Sequence, residues 1–215
     1  SPSSAASDVY KRQILTSKTR IVAAAAVFIA LSALFELLPK PRVPWGMSID
    51  FVAVPVLLAF FLFGVRCALT VSFGMFIILN FIGFFPPVGA IMKLAATLPM
   101  FLIPALLLYT PLGGKDRSPQ VFSSPLKMLI AAALAITVRC IAMVILNYYW
   151  AIPIFATVFF GISFEEFFEK QFGGAIWAFI WYVASMNLTQ GIIDVAVSWA
   201  VAFKGRLASL LAGQP

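Results

Sequence analysis

Residues 139–153 read Arg-Cys-Ile-Ala-Met-Val-Ile-Leu-Asn-Tyr-Tyr-Trp-Ala-Ile-Pro, from Arg139 to Pro153. The run is apolar enough to lie in a bilayer, yet it carries a cation, an amide and three aromatic rings. Charged and amide groups at bilayer depth are expensive, and they face a protein interior or a cavity. Asn147 therefore needs something polar to meet, and the flanking sequence has to supply a bundle around it.

Composition fixes the class. The chain is 62% hydrophobic and 11% charged, with a mean hydropathy of +1.02. A soluble domain runs nearer half apolar and about a quarter charged. This is an integral membrane protein, and 215 residues fit one polytopic domain. The net charge of +7 is not a nucleic-acid signature, because the cations sit at the ends of apolar runs instead of forming a stripe. There is no histidine, which removes histidine-based zinc, haem, proton-relay and serine–histidine chemistry. Cys67 and Cys140 lie inside apolar stretches and read as small buried hydrophobes, not as a disulfide or metal pair. No cofactor is expected. Residues 1–17 read as a disordered or added lead without a cleavable signal, and 208–215 as a short tail.

A basic collar of Lys11, Arg12, Lys18 and Arg20 precedes the first span, 21–38. As a helix this run covers ~27 Å, close to the ~30 Å hydrocarbon thickness. Ala23, Ala26, Ala30 and Ala33 make one smooth stripe on it. Small residues let another helix approach closely, either within the bundle or from a separate membrane subunit. Pro39, Pro41 and Pro44 stop the helix. Trp45 suits the water interface, and Asp50 opens the next run either as a cap or as a ligand contact.

The run 51–85 is too long for one span and breaks at Gly64-Val65-Arg66, giving spans 51–64 and 66–85. Asn80 lies near the end of the second. The fourth span, 88–109, is expected to kink at Pro99 and Pro104, with Lys93 near its start either snorkelling or facing a cavity. The Gly113-Gly114-Lys115 loop lacks the spacing and the strand of a phosphate-binding loop. The fifth span covers 126–149. Residues 151–172, with Glu165, Glu166, Glu169 and Lys170, are too polar to span and are expected at the interface or folded over the bundle. The sixth span, 173–203, carries Asn187, Gln190, Gly191 and Asp194 on one face.

Six spans put both termini on one side. Lys and Arg number ten on that side (four in the N-terminal segment, one at the turn, three in the 111–127 loop, two in the tail) against Lys40, Arg42 and Lys170 opposite. The bias predicts cytoplasmic termini. Asp50, Asn80 and Asn147 then come near the outer surface, with Asn187 nearer mid-bilayer. Amides, one carboxylate, one lysine and many aromatics (Trp45, Tyr148, Tyr149, Trp150, Trp177, Trp181, Tyr182) suit a planar, uncharged heteroaromatic solute. The same residues also suit interfacial belts and interhelical bonds. Arg139 lies ~12 Å along the helix from Asn147 and reads as a structural cation paired with Asp194.

Arg139, Met143, Asn147, Tyr148 and Pro153 form a pattern that resembles the fifth helix of riboflavin-specific S components of energy-coupling factor (ECF) transporters. Three further segments agree: Ser48-Ile49-Asp50-Phe51-Val52-Ala53-Val54-Pro55, Val88-Gly89-Ala90-Ile91-Met92-Lys93, and Asn187-Leu188-Thr189-Gln190-Gly191. The resemblance spans 18–207. It implies an all-α, six-helix membrane subunit in a prokaryotic plasma membrane, which binds riboflavin from outside and is not an enzyme. It also implies a transmembrane coupling protein and two cytoplasmic ATPases as partners, with Ala26 and Ala30 matching the helix-one docking stripe. Asn147 and Asn187 carry over as ligand contacts by motif position. Gln190, Asp50, Lys93, Tyr148 and Trp45 complete the expected pocket. Gln190 departs from the lysine common in the group. Thiamine, pantothenate or a queuosine precursor is the alternative cargo, and a structural membrane protein the alternative class. Glu165-Glu166-Phe167-Phe168-Glu169-Lys170 resembles an intramembrane-protease motif, but that family needs histidines.

Overall fold

A computed structural model describes residues 18–43, 46–114 and 116–205. Trp45, the lead 1–17 and the tail 208–215 lie outside the described residues. Seven helices organise the rest: α1 Lys18–Leu37, α2 Val54–Phe63, α3 Val65–Ile82, α4 Val88–Leu107, α5 Pro125–Phe160, α6 Phe164–Phe172 and α7 Ile176–Lys204. Among the described residues there is no strand, only a lone bridge between Arg42 and Ser48.

Five of the helices (α1, α3, α4, α5 and α7) are long and apolar enough to cross a membrane. The sixth apolar helix, α2, has 10 residues, and at ~1.5 Å per residue it covers only about half the hydrocarbon thickness. It is also apolar all round. Val54 through Phe61 are all buried, as expected of a central helix with no face left for solvent. α1, α3 and α7 pack on α2, and neighbours α1–α3, α3–α4, α4–α5 and α5–α7 continue the layer around it. Residues 46–53, of irregular backbone, lead into α2.

Two ends follow from this arrangement. At one end, Phe60 meets Phe101 and Phe122, Phe61 meets Phe203, and Trp199 Nε1 donates to the Phe122 carbonyl at 2.8 Å. At the other end lie segment 38–53, the Phe84–Pro87 turn and α6. Ser163 caps α6 by accepting from the Glu166 N–H at 3.1 Å. Phe167, Phe168 and Phe172 are its buried face, so 164–172 folds over the bundle and leaves Lys170 and Glu166 paired at the surface.

α5 departs from the sequence reading. It does not end at Tyr149 but continues as a 36-residue helix through two π turns, Asn147–Ala151 and Ala156–Phe160. Pro153 sits between them. A proline frees the carbonyl four residues before it and crowds the preceding turn, and a wider π turn immediately upstream absorbs that mismatch without breaking the helix. Pro99 and Pro104 likewise lie inside α4.

α2 and α3 are joined by a single residue, Gly64, at φ 86° and ψ −177°. That region is essentially open only to glycine. Gly64→Ala is expected to lower stability by about 1–3 kcal/mol, measured as a drop in the thermal unfolding midpoint in detergent. An unchanged midpoint would show that the turn relaxes freely.

Candidate functional site

Residues 46–53 enter the bundle as irregular backbone, and backbone groups freed from helical pairing inside a membrane protein must find partners within it. The chain supplies them by side chains. Ser32 Oγ donates to the Val52 carbonyl at 3.0 Å. Asp50 Oδ1 accepts from the Val52 N–H at 3.0 Å. Gln190 accepts from the Asp50 N–H at 2.9 Å and donates to the Asp50 carbonyl at 2.6 Å. Its Nε2 also donates to Asp194 Oδ1 at 2.7 Å. Gln190 stands midway along α7, so Asp50 is fastened halfway down that helix.

Two ion pairs flank this clamp. Lys93 Nζ reaches Asp50 Oδ2 at 2.5 Å, where Ser48 Oγ also donates at 2.9 Å. On the other side Arg139 Nη1 meets Asp194 Oδ2 at 2.8 Å, and Arg139 Nε donates to Asn187 Oδ1 at 3.2 Å. Gly191 makes the second pair possible. A Cβ there would press on Ile136 of α5, and its absence lets α5 and α7 approach. Above the clamp, Glu36 pairs with Lys40 at 2.5 Å and with Arg42 at 3.7 Å.

Between α4, α5, α7 and segment 46–48 lies a cavity with about 680 Å³ of atom-free space, its open mouth included. Asn147, Asn187, Lys93, Arg139 and Ser48 are its polar lining. Its walls are Met47, Phe84, Phe85, Met92, Met143 and Phe155. Asn147 donates to the Met143 carbonyl at 2.7 Å, and its Oδ1 accepts from no partner among the described residues. Asn187 spends one N–H on the Val183 carbonyl at 2.9 Å.

The expected pocket residues are thus divided. Asn147, Asn187 and Lys93 come together at the cavity. Asp50 and Gln190 stand behind the lining, with their polar atoms committed to one another and to the ion pairs. Tyr148 also misses the cavity and packs edge-on against Phe164 and Phe168. Asn80 donates to the Phe76 carbonyl on its own helix. Arg139 is both buried in its pair and part of the cavity floor, because the cavity extends down α5 to reach it. Among the described residues, none of the expected Tyr and Trp walls borders the cavity. Tyr149, Trp177 and Trp181 are 70% or more exposed and suit an interfacial belt. The walls are phenylalanines and methionines; Met92 and Met143 lie in the motif segments, whereas Met47, Phe84, Phe85 and Phe155 were singled out by no motif.

The fold and site define a multi-pass helical membrane protein with a solute-sized cavity among its spans. The particular family follows from comparison. The family "ECF transporter, substrate-specific component" matches residues 20–202, and this chain belongs to it. A solved structure, "Structure and mechanism of the S component of a bacterial ECF transporter", is 20% identical, with a TM-score of 0.62 over 91% of this chain and 99% of that one; it shares the fold. No curated protein matches the sequence. The chain is therefore the substrate-capturing subunit of an ECF transporter. It is a multi-pass membrane protein that works with the family's transmembrane and ATPase modules, and not an enzyme. The structural and protease readings fall with that assignment.

Arg139 and Asp194 make a testable pair. Arg139→Met leaves a fully buried carboxylate without its cation and is expected to destabilise the protein by about 3–5 kcal/mol, whereas Arg139→Met with Asp194→Leu recovers most of the loss. Thermal unfolding of the two variants checks this; equal losses would mean that the pair is not the unit of stability.

Proposed function

We propose that this chain captures riboflavin from the outer face of the membrane. The observation that carries the reading is the unpartnered Asn147 Oδ1, set in a cavity that Asn187 and Arg139 also border. An acceptor among donors complements an imide edge, in which one N–H lies between two carbonyls, as in the flavin ring. Met92, Met143 and the phenylalanine walls suit the flat ring faces. The ribityl arm then points toward Lys93 and Ser48. Gln190 takes no part in contact on this reading. Its departure from lysine therefore alters the clamp behind the cavity and not the ligand's neighbours.

Sidedness supports capture from outside. Arg66, Arg117, Lys127 and Lys204 gather at the end away from the cavity mouth, the pattern of a cytoplasmic face, with α2 and segment 38–53 together making the second of six crossings and both termini inside. The coupling surface is the α1 stripe. Ala23, Ala26 and Ala30 are exposed and Ala33 is half-buried, so the stripe faces outward, away from the bundle interior. Its occupant is the ECF transmembrane coupling protein, behind which two cytoplasmic ATPases supply the energy.

Riboflavin fluorescence should quench saturably on titration with the detergent-purified protein, and Asn147→Ala should weaken binding tenfold or more with the unfolding midpoint preserved. A folded protein without saturable quenching would sink the riboflavin reading, and thiamine, pantothenate and a queuosine precursor become the next cargoes to titrate. Ala26→Leu should leave quenching intact and reduce co-purification with the coupling protein and ATPases; full assembly would place the docking surface elsewhere.

A further inference from the structure

Two cations border the cavity, Lys93 and Arg139, and among the described residues no acidic side chain does. Their counter-ions stand behind them. Asp50 and Asp194 are almost wholly buried and approach Lys93 and Arg139 from outside the lining. Gln190 holds both from one position, through the Asp50 backbone and Asp194 Oδ1. Arg139 with Asp194 is a neutral pair, while Asp50 carries Lys93 and, at 3.9 Å, Lys40 as well; both arrangements present a positive end to the ligand.

We propose that this makes the cavity a charge filter, which admits solutes whose polar arm is neutral or anionic and rejects cations. The proposal rests on the reading that this cavity is the ligand site. Lys93 is the residue that sets the preference at the arm, and Gln190 positions its counter-ion. A ligand charge ~4 Å from the cation and ~7 Å from the carboxylate behind it feels mainly the cation, because the interaction falls with distance in a medium of intermediate dielectric. The net effect is an anion-over-cation preference of about tenfold or more per pair. Cation–π attraction to the phenylalanine walls would oppose this, but two of those rings already have partners. The Phe84 ring already carries the Arg42 guanidinium at 4.1 Å, and Phe155 is stacked on Phe159 at 4.6 Å.

The test is a charge series on one ring: riboflavin, an N10-carboxyalkyl flavin and an N10-aminoalkyl flavin, titrated by fluorescence into the wild-type protein and Lys93→Gln. Pantothenate and thiamine serve as an anion–cation pair off the flavin scaffold, read by thermal unfolding. The aminoalkyl flavin is expected to bind at least tenfold more weakly than the carboxyalkyl flavin, and the ratio to shrink severalfold in Lys93→Gln. A wild-type ratio near one overturns the filter while leaving the riboflavin reading intact. If no flavin binds but pantothenate stabilises the protein and thiamine does not, the riboflavin reading fails and the filter stands. Equal stabilisation by thiamine, a ratio unmoved by Lys93→Gln, or no response to any of the five compounds overturns the proposal.

Discussion

The structure depends on one side-chain amide pairing with one residue's backbone. Gln190, at the middle of α7, accepts the Asp50 N–H and donates to the Asp50 carbonyl. This replaces the helical partners that Asp50 gives up by lying in irregular backbone. Unsatisfied peptide groups within a membrane protein's interior cost several kcal/mol each, so segment 38–53 stays inside the bundle only while those groups are paired. A lysine at 190 is able to donate to the carbonyl but has nothing with which to accept the N–H. The glutamine suits this chain's backbone for a reason unrelated to its polarity as a ligand contact.

Much follows from that fastening. α2, only ten residues long, follows directly on that fastened backbone. Because α2 is short and central, its whole circumference is buried, and an apolar sequence without an amphipathic stripe is the only kind that fits. The same irregular segment borders the cavity through Gly46, Met47 and Ser48, opposite α4, α5 and α7. The ion pairs on either side brace the same point. Buried pairs of this sort add little net stability over apolar packing but resist loss of one partner strongly. They fix the arrangement more than they strengthen it.

The fold was legible wherever it rested on local chemistry. Hydropathy marked the long spans, Gly64 marked the turn, and the one-face spacing of Asn187, Gln190 and Asp194 marked a polar seam that the structure uses. Asn147 and Asn187 were legible as cavity residues because an amide in an apolar helix demands an explanation. Less legible were features decided by distant packing. Nothing near Gln190 in the sequence announces a partner 140 residues away. Phe84, Phe85, Met92 and Phe155 look like any other apolar residues until the helices are placed. Tyr149, Trp177 and Trp181 were ambiguous in the opposite way, since aromatic residues with polar tips suit both a pocket wall and a membrane interface, and all three are exposed here.

The stretch from Arg139 to Pro153 shows why geometry, more than composition, makes the site. Arg139, Met143, Asn147, Ala151 and Phe155 all border the cavity, at a constant spacing of four. In a straight α-helix each step of four residues turns through about 400°, a drift of about 40°, so five such positions spread over about 160° and the last would face away from the first. The π turn at Asn147–Ala151 closes its hydrogen bond over five residues and so turns less per residue, which takes up part of that drift. Pro153 and the second π turn continue the correction to the rim. A helix that begins with a cation braced against Asp194 therefore ends with a phenylalanine at the mouth on the same face. The amide between them, at the start of the π turn, is held by its own Met143 carbonyl with its oxygen left open to the cavity.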